Sequence, residues 1–180
     1  MSASVTNEHF RDYLSPKTRD KLFAFGVYQI LGGLWCLISV AGNLFQFGFY
    51  LALMPDLFFA LVSILCGLAC CMRNEHCLRF SFYNQCLQLP SLMLSGWIFQ
   101  NAQGVYFNAG IGLNDGIVIQ FDLGTSKVIA GRYDFTSNHI HINLIAGGIM
   151  VWINGLLRKL ETARQNRLLM AIGEDEQVGQ

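Results

Sequence analysis

The sequence predicts an all-α membrane protein: a bundle of four transmembrane helices with a small β-hairpin in its second outer loop. Three observations predict it. Of 180 residues, 53% are hydrophobic and only 13% are charged, about half the charged share of an ordinary soluble domain. The apolar residues come in long blocks, and a helix crossing about 30 Å of hydrocarbon needs roughly 20 such residues. Finally, the basic residues gather on one side of those blocks. The zero net charge supplies no field to steer a polyanion, so a nucleic-acid partner is excluded. The apolar content also excludes a disordered chain and argues against most cytosolic enzymes.

The four predicted spans are residues 22–43, 49–72, 86–107 and 140–157. They divide the chain into an N-terminal segment 1–21, a membrane domain 22–157 and a C-terminal tail 158–180. The stretch 22–72 contains one charge, Asp56, and is too long for one span; Ala41-Gly42-Asn43 is the natural turn between two. The third span is diluted by Gln88, Gln100, Asn101 and Gln103, and the fourth by His141, Asn143 and Asn154. The blocks are apolar all round, unlike the alternating ten-residue strands of a membrane barrel. With four spans, ten of the twelve Lys and Arg fall on one side, and only Lys127 and Arg132 on the other. The positive-inside rule makes that side cytoplasmic, with both termini, in the plasma membrane or an endomembrane. The first 21 residues lack the pattern of a cleaved signal, so span one is expected to act as a signal-anchor.

The outer loop 108–139 holds two β-prone runs, residues 116–122 and 127–133, around Leu-Gly-Thr-Ser; this predicts a hairpin over residues 116–133. The six cysteines lie outside that loop, so no disulfide framework is expected. The Cys70-Cys71-Met72-Arg73 junction fits S-palmitoylation at Cys70 and Cys71; the alternative is that these are small packing residues. The tail from Arg158 to Ile172 has helical propensity, with Gly173 as its stop.

Asp56 fits two readings. An intramembrane carboxylate is a functional candidate, and Pro55-Asp56 is also a good helix start, where an acid is favourable. With Gln100, Asn101 and Asn143 it defines a polar path for a small transporter or channel subunit. His139 and His141 would share one face of a strand, as metal ligands do, with Asp134 the only nearby third ligand; the alternative is two polar interface residues. Ser63-xxx-Gly67 in span two and Ser91-xxx-Ser95 in span three place small residues on single helix faces, suited to close helix packing in lipid. No H-E-x-x-H, G-x-S-x-G or P-loop occurs, and Gly110, Gly112 and Gly116 miss the dinucleotide spacing. The chain is therefore expected to be neither an enzyme nor a cofactor protein. The favoured function is lateral association with other membrane proteins or with itself, as an organiser or modulator of trafficking or signalling.

Gln29-Ile-Leu-Gly-Gly-Leu34, the near-continuous first two spans, Pro55 and Cys77-Leu78 resemble the membrane-spanning four-domain family, which includes the B-cell surface antigen and the Fc-epsilon receptor beta chain. The likeness covers roughly residues 25–107. It departs in the second outer loop, where those proteins usually carry cysteines. The resemblance implies an oligomeric four-helix bundle with both ends cytoplasmic, modulating receptors, trafficking or ion flux. Tetraspanins and claudins match less well, for want of a Cys-Cys-Gly motif and of a long first loop.

Overall fold

The computed structural model describes residues 15–48, 53–72, 76–113, 116–132 and 137–178. Among them are four helices, α1 (Pro16–Phe47), α2 (Leu53–Cys71), α3 (Cys77–Gln88) and α4 (Leu144–Val178), and four strands, β1 (Pro90–Leu94), β2 (Trp97–Gly112), β3 (Val118–Arg132) and β4 (His139–Asn143).

Ser15 starts α1. Its Oγ accepts the Thr18 N–H at 3.3 Å, and Pro16 occupies the first turn, where its fixed φ helps and its missing N–H costs nothing. The helix runs 32 residues to a glycine at φ +73°, about 48 Å. In α2, Asp56 lies in the first turn, the helix-start position where its charge meets the positive end of the helix dipole. α1 and α2 are each long and apolar enough to cross a membrane. They pack antiparallel through glycines: a Cβ on Gly67 would stand 2.5 Å from the Gly26 carbonyl oxygen, and one on Gly33 2.8 Å from that of Ala60. Below this contact, Leu22 and Phe25 of α1, Cys70 of α2, Cys77 and Leu78 of α3 and Ile153 of α4 form the buried apolar core, with Phe25 and Trp152 edge-to-face at 5.6 Å.

The four-span, all-α bundle is corrected here: two predicted spans hold as helices and two do not. Residues 86–107 contain the end of α3, a break at Pro90, all of β1, a turn at Ser95 and Gly96 with φ +50° and +83°, and most of β2. Proline cannot donate within a helix, and two consecutive left-handed residues make a tight strand connection. Of the amides that dilute this stretch, Gln88 ends α3 and Gln100, Asn101 and Gln103 lie in β2, all of them buried within the fold and not facing lipid. Residues 140–157 begin in β4, and Asn143 ends the strand by capping α4: its Oδ1 accepts the N–H groups of Ile145 at 3.1 Å and Ala146 at 3.3 Å. That leaves 14 uncharged helical residues before Arg158, about 21 Å, short of a bilayer crossing. α4 then continues past Gly173 to Val178. With two membrane-length helices and a mixed α/β body, the chain is not a tetraspan protein.

The hairpin over residues 116–133 is also redrawn. Both β-prone runs belong to one strand, β3, which pairs along its length with β2, from Trp97↔Arg132 to Gly112↔Val118. Leu-Gly-Thr-Ser is not a reversal but a bend inside β3, opposite a register shift between Ala102 and Val105.

The pairing dictates an unusual shape. β1 runs antiparallel to β2 and to β4, and β4 runs antiparallel to β2. Three straight strands cannot all be mutually antiparallel, so β2 must reverse its direction within its own length. It does so at the register shift, where Gly104 has φ +89° and Ser126 across from it has φ +29°. The first arm of β2 pairs β1 through residues 97–100, and the second pairs β4 through residues 108–112. The result is a strongly curled, barrel-like sheet, with one face turned inward and β3 wrapped along the outside of the bend.

Candidate functional site

Two features emerge from this architecture: an apolar surface on the helical pair and a polar cleft inside the curled sheet.

The helical pair is held by a buried polar seam. The Gln29 side chain of α1 accepts from the Ser81 hydroxyl of α3 at 3.1 Å, the Ser63 hydroxyl of α2 donates to the Gln29 carbonyl at 3.1 Å, and Asn84 Nδ2 reaches the Ser63 hydroxyl at 3.4 Å. Ser63 and Gly67 thus sit on one face, as the small-residue spacing predicts, but that face is consumed inside the chain, against α1. Ser91 and Ser95 are a correction: neither is helical. Ser91 is buried in β1 and Ser95 lies in the β1–β2 turn, because the third span they were assigned to is a strand pair.

What α2 leaves outward is a stripe of Phe58, Leu61, Leu65, Leu68 and Met72, each between 40% and 70% exposed. The spacing alternates three and four residues, the pattern of a helix–helix seam. On α1, Leu31, Trp35, Ile38 and Phe45 are likewise exposed. Large apolar faces on a folded chain mark contact with lipid or protein.

The sheet packs beside the helices at mid-height. Phe99 meets Phe59 edge-on at 6.2 Å, Gly32 fits against the backbone of Gln103 and Gly104, and the Tyr28 hydroxyl donates to the Val105 carbonyl at 3.1 Å. The first arm of β2 therefore lies along the middle of α1, with the bend toward the N-terminal half of that helix.

The inner face of the sheet forms a cleft of about 440 Å³ lined by all four strands. Both His139 and His141 lie in it, on one face of β4, with rings stacked at 4.7 Å. The floor beneath them is glycine: Gly110 is registered with His141 and Gly112 with His139, and a Cβ at Gly110 would collide with the His141 ring and the Ile140 carbonyl. His141 Nε2 lies 3.3 Å from Gln120 Oε1. Burial lowers both imidazoles below their usual range, Lys127 adds to the effect at His139 and His139 adds to it at His141, and Asp122 opposes both. Beside Asp122 and Gln100, the Tyr106 hydroxyl is raised, first by burial and then by the Asp122 charge. The stacked rings do not converge on a shared centre, and no three His, Cys, Asp or Glu among the described residues form a metal group. Asp134 lies outside the described residues.

The residues assigned to a polar path are not brought together as one. Gln100 faces into the cleft, and Asn101, its neighbour on the strand, points to the opposite face, where its Oδ1 accepts from Gln103 at 3.5 Å. Asn143 is spent capping α4, and Asp56 sits on α2 beside Cys36, whose thiol lies 3.7 Å from its carbonyl. Of the two cysteines suited to acylation, Cys70 is fully buried against Ser81 and Cys71 is half-buried. Local sequence patterns do not mark Gln120, Lys127 or the two floor glycines as site residues. The signal that could have found them is Gly-x-Gly opposite His-x-His, a pairing of no side chain with a large ring.

Comparisons with family models, with curated proteins and with solved structures return no match.

Proposed function

We propose that this is a non-enzymatic membrane protein whose α1–α2 hairpin enters the bilayer from the side that carries both chain ends, and whose α2 associates laterally with a helix of a partner membrane protein. Charge supports the anchoring. No Lys or Arg occurs between residues 22 and 72, so a two-helix hairpin leaves all twelve basic residues on one side, a more complete asymmetry than the four-span arrangement provides.

The position of the sheet limits how deep the hairpin goes. Among the described residues β3 pairs on one edge only, and hydrocarbon does not tolerate open backbone donors and acceptors. The sheet lies against α1 from Tyr28 to about Cys36, so only the hairpin beyond it is free to enter lipid. From Ile38 to Phe47 that is about 15 Å of helix, roughly one leaflet.

The observation that carries the association is the α2 stripe from Phe58 to Met72, which lies level with the sheet and thus outside the hydrocarbon. Lipid does not cover it there, and water disfavours it. The test is a photoreactive residue placed singly at Leu61, Leu65 and Leu68 in native membranes. The expected result is transfer of the label to one protein of defined mass, strongest from Leu65. Labelling of phospholipid alone from all three positions would refute the association.

A further inference from the structure

Traced across the curled sheet, the strand registers arrange its inner side chains in rows. One row reads Ile129, Gln100, Ser91, His141, Gly110, Gln120, passing through β3, β2, β1, β4, the second arm of β2 and β3 again. The next row toward the two strand-connecting turns carries Ile98, Met93 and Val118 with His139. The next row toward the bend carries Lys127 and Asp122. The cleft is therefore graded, polar and charged near the bend and increasingly apolar toward the turns.

The polar end is rich in donors. Gln100 is 7% exposed, and beside the Tyr106 hydroxyl its Nε2 makes no hydrogen bond of good geometry. A buried donor left this way carries a desolvation penalty that a ligand acceptor would remove. Lys127 makes no ion pair with any described residue, and the Ser91 hydroxyl and both imidazoles line the same space. The one carboxylate, Asp122, lies beside the Tyr106 hydroxyl. A neutral sugar-like ligand would need acceptors as well as donors along the whole cleft, and in the row of Ile98 and Met93 only the His139 ring could supply one.

We propose that the cleft binds an amphiphile with an oxyanion head, a carboxylate or a phosphate monoester. Its head sits between Gln100 Nε2, the Lys127 ammonium and the His141 ring. Its short aliphatic tail runs along Ile98 and Met93. The volume of about 440 Å³ suits a head with a chain of several carbons, and excludes a whole phospholipid. This inference stands apart from the lateral association, since the α2 stripe takes no part in it.

The test uses the full chain in lipid nanodiscs with isotope-labelled histidine, titrated with octanoate, octyl phosphate or octanol. Saturable shifts of the His139 and His141 resonances are expected with at least one of the two anions, and which anion binds identifies the head group. Octanol, which partitions into the same bilayer without a charge, is expected to leave both rings unmoved. Lys127→Met, at an exposed position where folding is not at stake, should weaken anion binding about tenfold or more, and Gln100→Leu similarly, as loss of a hydrogen bond to a charged group implies. Octanol matching the anions, no saturable shift with either anion, or unchanged affinity in Lys127→Met would each overturn the proposal.

Discussion

Gly67→Ala is the sharpest probe of the helical pair. The added methyl would stand 2.5 Å from the Gly26 carbonyl oxygen, 2.7 Å from Ile30 Cγ1 and 3.0 Å from the Ile30 nitrogen. Two of those three atoms are backbone, so the clash is not relieved by a rotamer change: the helices must move apart. Overpacking of this kind costs roughly 1–3 kcal/mol, and part of the buried seam would stretch as the helices separate, since Ser63 reaches the Gln29 carbonyl at 3.1 Å only one turn away. Against this, alanine gains up to about 1 kcal/mol over glycine from helix propensity. The net expectation is a loss of about 2 kcal/mol, read as a fall of roughly 4–8 °C in Tm for a chain of this size. The assay is thermal unfolding in a mild detergent, with Gly148→Ala as the control. Gly148 is helical and a Cβ there meets nothing within 4 Å, so only the propensity gain remains and Tm should hold or rise. If Gly67→Ala is as stable as the wild type, the close α1–α2 crossing is wrong.

Three further outcomes follow from other parts of the fold. Asn143→Ala removes the acceptor for two N–H groups at the start of α4 and should cost about 1 kcal/mol, measurable by denaturant unfolding, with Asn143→Asp close to wild type. His139 and His141 bind protons less readily in the folded chain than in the unfolded one, so stability should be greatest above about pH 6.5 and should decline as pH drops from there through the lowered folded values; a stability profile flat from pH 7.5 to 5 would contradict the buried stack. With the proposed two-helix hairpin, a membrane-impermeant amine reagent should label Lys17, Lys127 and Lys159 from the same face of sealed vesicles, and reaction of Lys127 from the opposite face would refute that arrangement.

The first half of the chain was legible because its signal is gross. An uncharged stretch over residues 22–72 broken only by Asp56 has few alternatives to a pair of apolar helices, and the spacing of Ser63 and Gly67 marked the face that meets α1. The second half misled because hydropathy averages over periodicity. Residues 86–107 are apolar enough in sum, yet Pro90 and Ser95-Gly96 punctuate them as turn residues between strands do. In residues 139–143 the alternation His-Ile-His-Ile-Asn is that of a strand, overshadowed by the apolar helix that follows. The sequence marks β3 as β-prone but reads Gly124 as a reversal, since a glycine between two such runs most often makes one; only its pairing with the bent β2 shows that it accommodates the Tyr106 ring. The cleft itself was half visible. One face for both histidines followed from their spacing, whereas Gln100, Gln120 and Lys127 reach them through long-range register, which local patterns do not encode.

The self-reversing strand also sets an order of assembly. β4 emerges from the ribosome after the rest of the sheet, yet it alone bridges β1 to the second arm of β2. Until it arrives, the sheet is an open scroll with a bare edge on each side of the gap, the kind of surface on which chains stick to one another. The helical hairpin, made first from neighbouring residues, can form early. Closure of the scroll then waits on distant partners and becomes the slow step of folding, so chains cut short before His139 should accumulate as aggregates rather than as a smaller stable domain.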